Sequence, residues 1–457
     1  MRAPDRVPNR WLIATACTVL QLCLGTIYAW SYFQPLLVQQ FRWSNTDTSW
    51  AFCLNICCVG ISAAWGGIKL ATFGPRKLAV AGGILFAAGY AVAALALAVK
   101  SLPLFYLGYG AISGIGIGLG YVTPMATIIK WFPDRRGQLT GIAAMGFGLG
   151  AFVLSVVLAP ILMRLLSGDL TLVFAALGAI LGSVAIGSAA MLRNPPDGYL
   201  PAGFKPAARA NLADGPYARA EEAADLPLSE YLFAGQYMIM WFVFFLNITA
   251  GISIISFLSP LYQDIWRLDH PTLQRSVLAG YGASLIAVSS LFNGVGRIAW
   301  GALSERLGRI NTFRLLFASQ LVVFGILMTE HDPWVFAILV CYVLSCFGGG
   351  FAIMPSFVTD VYGTKRMSRA YGIILTAWSA AGVLGPLVVA SLKDNYPDRA
   401  IIYSFLLNIV VLGIAFTFSF LVNDDRFVPR RILLQVFAGA ATAEGKGAAA
   451  TRQSSRR

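Results

Sequence analysis

The chain of 457 residues is 57% hydrophobic and only 12% charged, with a mean hydropathy of +0.69. A soluble domain carries charge on about a quarter of its residues, so this composition excludes that class and points to a chain solvated by lipid. The net charge of +13 follows from basic loops beside a membrane and calls for no nucleic-acid partner.

In chain order, a tail with Arg2, Arg6 and Arg10 precedes an apolar stretch at 11–37. That stretch is longer than the 7–15-residue core of a secretory signal and feeds into further spans, so it reads as a first transmembrane helix. Stretches near the ~20 residues that cross a bilayer recur at about 48–69, 78–99, 103–129, 138–163, 170–192, 234–261, 277–303, 313–330, 334–358, 369–392 and 401–422. The expected fold is therefore an all-α membrane protein with twelve transmembrane helices. Gly114, Gly116, Gly118 and Gly120 lie inside the fourth stretch. No strand precedes them, so the run predicts close helix packing rather than a nucleotide loop.

Basic residues set the orientation. The even-numbered connections carry Lys69, Arg76 and Lys77, then Lys130, Arg135 and Arg136, then Arg306, Arg309 and Arg314, then Lys365, Arg366 and Arg369. The odd-numbered ones hold only Arg42, Lys100, Arg164, Arg267, Arg275, Lys393 and Arg399. Both termini are thus expected in the cytoplasm, with the protein in the cell (inner) membrane.

Residues 193–233 interrupt the apolar pattern with proline, alanine and mixed charge. They predict a cytoplasmic linker between an N-terminal half, 1–192, and a C-terminal half, 234–425, with a cytoplasmic tail at 426–457. The halves repeat each other. GIKLATFGPRK at 67–77 and GALSERLGR at 301–309 occupy corresponding connections, and Pro124–Gly141 and Pro355–Gly372 share one interval. Two six-helix pseudo-symmetric halves of this kind hold a central site between them.

Arg297 is the one charged residue in the stretch 278–303. A permanently charged guanidinium is costly at membrane depth, so it marks a wet pathway or an anion site. The competing reading is an arginine snorkelling to the interface, since the helix end near Glu305 is only about two turns away. Asn293 lies one turn before it, on the same face. The seven cysteines fall within apolar spans and suggest packing rather than metal binding, and neither cofactor nor metal is expected. No buried Ser-His-Asp set, HExxH motif or paired intramembrane carboxylates favour an enzyme.

The two loops resemble the G-x-x-x-D-x-x-G-R-[RK] motif of the major facilitator superfamily. The second copy has Gly301, Glu305, Gly308 and Arg309; the first has Gly67, Gly74, Arg76 and Lys77, with Ala71 where the acidic residue belongs. That departure makes Glu305 the expected inward-side latch. The blocks LGTIYAW (24–30), KWFPDRRG (130–137), NPPDGY (194–199), LFNGVGRIAWG (291–301), GGGFAIMP (348–355) and YGIILTAW (371–378) are similar to the oxalate/formate antiporter family, which includes bacterial lactate transporters.

The resemblance implies that Arg297 binds a substrate carboxylate, with Asn293, Tyr28, Tyr121, Phe147, Phe347, Phe351 and Trp378 around it. It implies gating or loop roles for Gly67, Arg76, Asp134, Arg135, Arg136, Glu305, Arg309 and Asp360. Trp378 stands where the oxalate carrier has a lysine, and Asn293 where the animal monocarboxylate carriers have an aspartate. One buried cation suits a monoanion. The expected function is a monomeric secondary transporter of lactate- or pyruvate-like monocarboxylates by alternating access, coupled to protons. An oxalate/formate-type organic anion antiporter and a non-transporting carboxylate sensor remain the alternatives.

Overall fold

The computed structural model describes residues 8–196, 199–201, 235–396 and 399–422. Eleven helices among them are long and apolar enough to cross a membrane, and one, Asn45–Ala98, is itself two. Its 54 residues would extend about 80 Å as a single rod, far beyond the ~30 Å hydrocarbon core. It breaks at Gly74, where φ 75° and ψ 163° leave the helical region. The spans are therefore α1 Arg10–Phe41, α2 45–73, α3 75–98, α4 Leu102–Trp131, α5 Leu139–Leu165, α6 Leu170–Ala190, α7 Tyr237–Leu268, α8 Arg275–Leu307, α9 Arg309–Leu327, α10 Pro333–Tyr362, α11 Arg366–Asn395 and α12 Ala400–Ser419.

Local signals set these boundaries. Ser44 and Asp47 exchange side-chain and backbone hydrogen bonds at the start of α2, so both orphan donors of that turn are used. Asp169 and Asp332 accept from the first free N–H groups of α6 and α10. Pro260 removes a donor from α7, which bends at Phe257. The repeat expected from the loops is present in the backbone. Gly308, between α8 and α9, adopts φ 83° and ψ 153°, nearly the values at Gly74 between α2 and α3. Only glycine populates that region readily.

The glycine run of α4 packs alternately on its neighbours: Gly114 and Gly118 against α2, Gly116 against α3 and Gly120 against Leu24 of α1. Spans from the two halves meet along α2–α11 and α5–α8. Ser379 Oγ donates to the Cys57 carbonyl at 2.6 Å. Gly67, expected in a loop role, lies buried at the α2–α11 crossing, where an added Cβ would fall 2.3 Å from the Ser368 carbonyl oxygen. The expected linker and tail fall almost entirely outside the described residues.

Candidate functional site

Arg297 sits on α8, fully buried, and is the only charged side chain in the buried class among the described residues. Its Nε donates to Asn293 Oδ1 at 3.3 Å, one turn back on the same face. Both terminal nitrogens lack a hydrogen-bond partner. Burial of a cation with two open donors is unfavourable unless something accepts from them.

The guanidinium is enclosed by aromatic rings. Its Cζ lies 5.7 Å from the Phe147 centroid and 5.3 Å from that of Phe351, within cation–π range. Tyr28 packs edge-on to Phe147 at 5.2 Å and to Phe347 at 5.6 Å. Trp378 closes the ring set, 5.0 Å from Phe351, 5.2 Å from Tyr121 and 5.6 Å from Phe147. Four spans and a local distortion supply these groups. Tyr28 comes from a 3₁₀ turn, Thr26–Ala29, inside α1, where the Thr26 hydroxyl takes the Cys23 carbonyl. Tyr121 comes from α4, Phe147 from α5, Phe347 and Phe351 from α10, and Trp378 from α11. Gln21 donates to the Tyr121 carbonyl at 3.2 Å and fixes α4 against α1.

All eight residues expected around a substrate are thus in one cluster. Tyr371 also belongs to it. It is fully buried on α11, and it interacts electrostatically with Arg297, Tyr121 and Tyr28. Its spacing of seven from Trp378 places both on one helix face, a signal available in the sequence. The hydroxyls of Tyr28, Tyr121 and Tyr371 and the indole Nε1 of Trp378 make no hydrogen bond of ordinary geometry, and the Tyr28 and Tyr121 hydroxyls face the guanidinium. The cage therefore combines one fixed cation with several uncommitted donors in a low-dielectric space, an arrangement suited to a carboxylate.

The glycine at 348 on α10 lets this geometry form. An added Cβ would lie 2.2 Å from the Asn293 carbonyl oxygen, 2.6 Å from its Oδ1 and 3.1 Å from Arg297 Cγ. Gly348→Ala is expected to displace the Asn293–Arg297 pair, at an overpacking cost of about 1–3 kcal/mol. Carboxylate binding should fall accordingly in isothermal titration. Gly325→Ala, where the Cβ would meet nothing within 4 Å, should bind as the parent does.

Five of the expected gating residues, Asp134, Arg135, Glu305, Arg309 and Asp360, line a separate cavity of about 400 Å³. The carboxylate partner of Arg309 is Asp360, at 3.0 Å, and its other partner is Ser304 Oγ at 2.6 Å. Glu305, the expected latch, lines the same cavity and is exposed. Asp134 pairs with Arg10 at 3.0 Å, and the Arg10 guanidinium stacks 4.7 Å from Phe132. Both ion pairs join elements of one half. Arg76, at the start of α3, is exposed, and the Arg136 side chain lies outside the described residues.

The opposite face holds a cavity of about 750 Å³ whose lining includes Gln34, Asn45, Asp264, Arg267, Arg275 and Lys393. Lys393 pairs with Asp264 at 2.8 Å. Asp394 accepts from Asn45 at 3.3 Å and from Thr46, tying α11 to the start of α2 across the halves. A void of about 10 Å³ bordered by Tyr28, Ala151, Ser290 and Asn293 adjoins the cage.

The family model for the Major Facilitator Superfamily matches residues 15–386. Among curated proteins, the chain is 26% identical over 416 residues to the oxalate:formate antiporter of Oxalobacter formigenes, covering 90% of this chain and 91% of that protein. It is 25% identical to apicoplast pyruvate carrier 1 of Toxoplasma gondii, covering 80% of each. It is 27% identical to human monocarboxylate transporter 11, covering 87% of this chain and 79% of that one.

Proposed function

The chain belongs to the Major Facilitator Superfamily, and from that premise we propose that it moves small monocarboxylates, lactate- or pyruvate-like, by alternating access around Arg297. One observation carries this reading: a fully buried guanidinium whose two terminal nitrogens make no hydrogen bond of ordinary geometry and face the neutral hydroxyls of Tyr28 and Tyr121 rather than a carboxylate. A carboxylate takes both in a two-point bond and cancels the charge. The names of the relatives, which speak of oxalate and formate, pyruvate and monocarboxylates, support the same chemical class.

The monoanion preference rests on charge. A dianion would bring two carboxylates to one buried cation and leave one poorly paired after desolvation. Trp378 contributes an indole donor and no charge. We place the face with Arg135 and Arg309 toward the cytoplasm of the cell membrane, following the excess of basic residues there. The halves 1–192 and 234–425 are the units that rock against each other, the linker 193–233 joining them.

Proton symport, with the acid itself carrying the proton, is the coupling we favour. Anion exchange is the second reading, favoured by one feature: among the described residues no carboxylate or histidine is buried with Arg297. Purified protein in liposomes decides between them. Symport predicts that an inward proton gradient concentrates labelled lactate or pyruvate inside without any internal anion. Exchange predicts uptake only when the vesicles are preloaded with anion. Absence of uptake under both conditions would favour a carboxylate sensor.

The hydroxyl of Tyr121 is tested separately. Tyr121→Phe should weaken monocarboxylate binding by about 0.5–1.5 kcal/mol, the net worth of one hydrogen bond. Tyr121→Ala should lose more, because its ring packs on Phe147 at 5.1 Å and Trp378 at 5.2 Å. Equal affinities for the parent and Tyr121→Phe would place that hydroxyl outside the site.

A further inference from the structure

Ser290 reaches from α8 into the hydrogen-bond ladder of α5, in the other half of the molecule. Its Oγ donates to the Gly148 carbonyl at 2.5 Å and accepts from the Phe152 N–H at 3.0 Å. Those two backbone groups are four residues apart, the donor and acceptor of a single α-helical rung. One hydroxyl from α8 thus serves both ends of one rung in α5.

The position of that rung is informative. Immediately beyond it, Val153–Leu158 is wound as π-helix. Pro160 follows and offers no N–H to the turn before it. A π segment and a side chain entering the ladder are both recognised causes of helix bending. On the other side of the rung, Phe147 forms a wall of the Arg297 cage. On α8, Ser290, Asn293 and Arg297 follow at spacings of three and four, so they share one face. Gly148 and Gly294 bring the backbones together below the hydroxyl: an added Cβ at 148 would lie 2.8 Å from the Gly294 Cα.

We propose that Ser290 is a positioning residue that couples closure of the Lys393 face to the shape of α5. With the halves closed, the hydroxyl pins the rung at 148–152, just before the π segment, and holds Phe147 against the guanidinium. When the ends of α5 and α8 part on that face, the hydroxyl withdraws. Gly148 and Phe152 are then left to bond to each other directly, so α5 loses no backbone partner on opening. Ser290 loses both of its contacts. The net result is a bias toward the closed state worth about one hydrogen bond, supplied by a side chain that need not touch the substrate.

This inference rests on the alternating-access reading above, and its test requires no substrate. Spin labels are placed at Gln39 and Ser276, exposed positions of the two halves that line the cavity of about 750 Å³. The background has its seven cysteines replaced and its monodisperse folding verified, and distances are measured by double electron–electron resonance in nanodiscs. Ser290→Ala is expected to raise the ratio of long to short distances by about two- to twelve-fold, the range spanned by one net hydrogen bond. Ser290→Thr, which keeps the hydroxyl, should retain the parental ratio.

The near-isosteric pair Ser290→Thr and Ser290→Val repeats the comparison at larger size, so poor folding of the alanine variant leaves the test intact. Identical distributions with and without the hydroxyl would overturn the proposal. That failure would leave the role of Arg297 untouched, because substrate binding is measured independently.

Discussion

Arg297→Ala is expected to abolish carboxylate binding and transport while the protein still inserts and folds. Removing one partner of a buried ion pair costs about 3–5 kcal/mol, or about two to four orders of magnitude in affinity. The folded state itself loses a fully buried cation with two unpaired nitrogens, so thermal stability without substrate should hold or rise. That combination separates a binding arginine from a structural one, whose loss would destabilise the resting protein. Arg297→Lys is the sharper comparison. Lysine keeps the charge but has neither the planar fork nor the reach to bond Asn293 and a carboxylate together. It should lose most transport as well. Near-normal uptake by Arg297→Lys would assign the effect to charge alone, and near-normal uptake by Arg297→Ala would remove the site altogether.

Trp378→Lys is expected to reverse the substrate preference. The indole is fully buried and packs against Phe147, Phe351 and Tyr121, the first two of which also flank the guanidinium. An ammonium there would stand in a dry space beside a second cation. It gains a partner only when a ligand brings a second negative group. Oxalate affinity should rise and lactate or pyruvate affinity should fall, giving a change of about 10²-fold or more in their ratio. Loss of the ring also leaves space, so Trp378→Met is measured alongside as a neutral control for packing. If the lysine variant is folded and active with the parental ratio, residue 378 does not set substrate charge.

Much of this arrangement could be read from residues alone because hydropathy in a membrane chain is a strong signal. The twelve spans followed from apolar length, and Gly74 and Gly308 marked equivalent breaks because their backbone angles are open mainly to glycine. Arg297 stood out as a single charge in an apolar stretch, and its contact with Asn293 followed from a spacing of four. Contacts between distant segments were less legible. Arg10 read only as a positive-inside charge, yet it pairs with Asp134, 124 positions away. Asp360 meets Arg309 because the end of α10 packs beside the α8–α9 turn, a proximity that no local pattern encodes. Ser290 gave no signal, since an isolated serine in an apolar helix usually bonds its own preceding turn. Tyr371 was accessible in principle through its two-turn spacing from Trp378.

Substrate counterflow tests the central claim most directly. Liposomes containing the purified protein are loaded with unlabelled lactate or pyruvate and diluted into trace amounts of the same labelled acid, with empty, oxalate-loaded and Arg297→Ala vesicles in parallel. The account predicts transient accumulation of label in vesicles loaded with monocarboxylate, little in oxalate-loaded vesicles, and none with Arg297→Ala. Accumulation driven by oxalate as strongly as by monocarboxylate, or accumulation that survives Arg297→Ala, would contradict it.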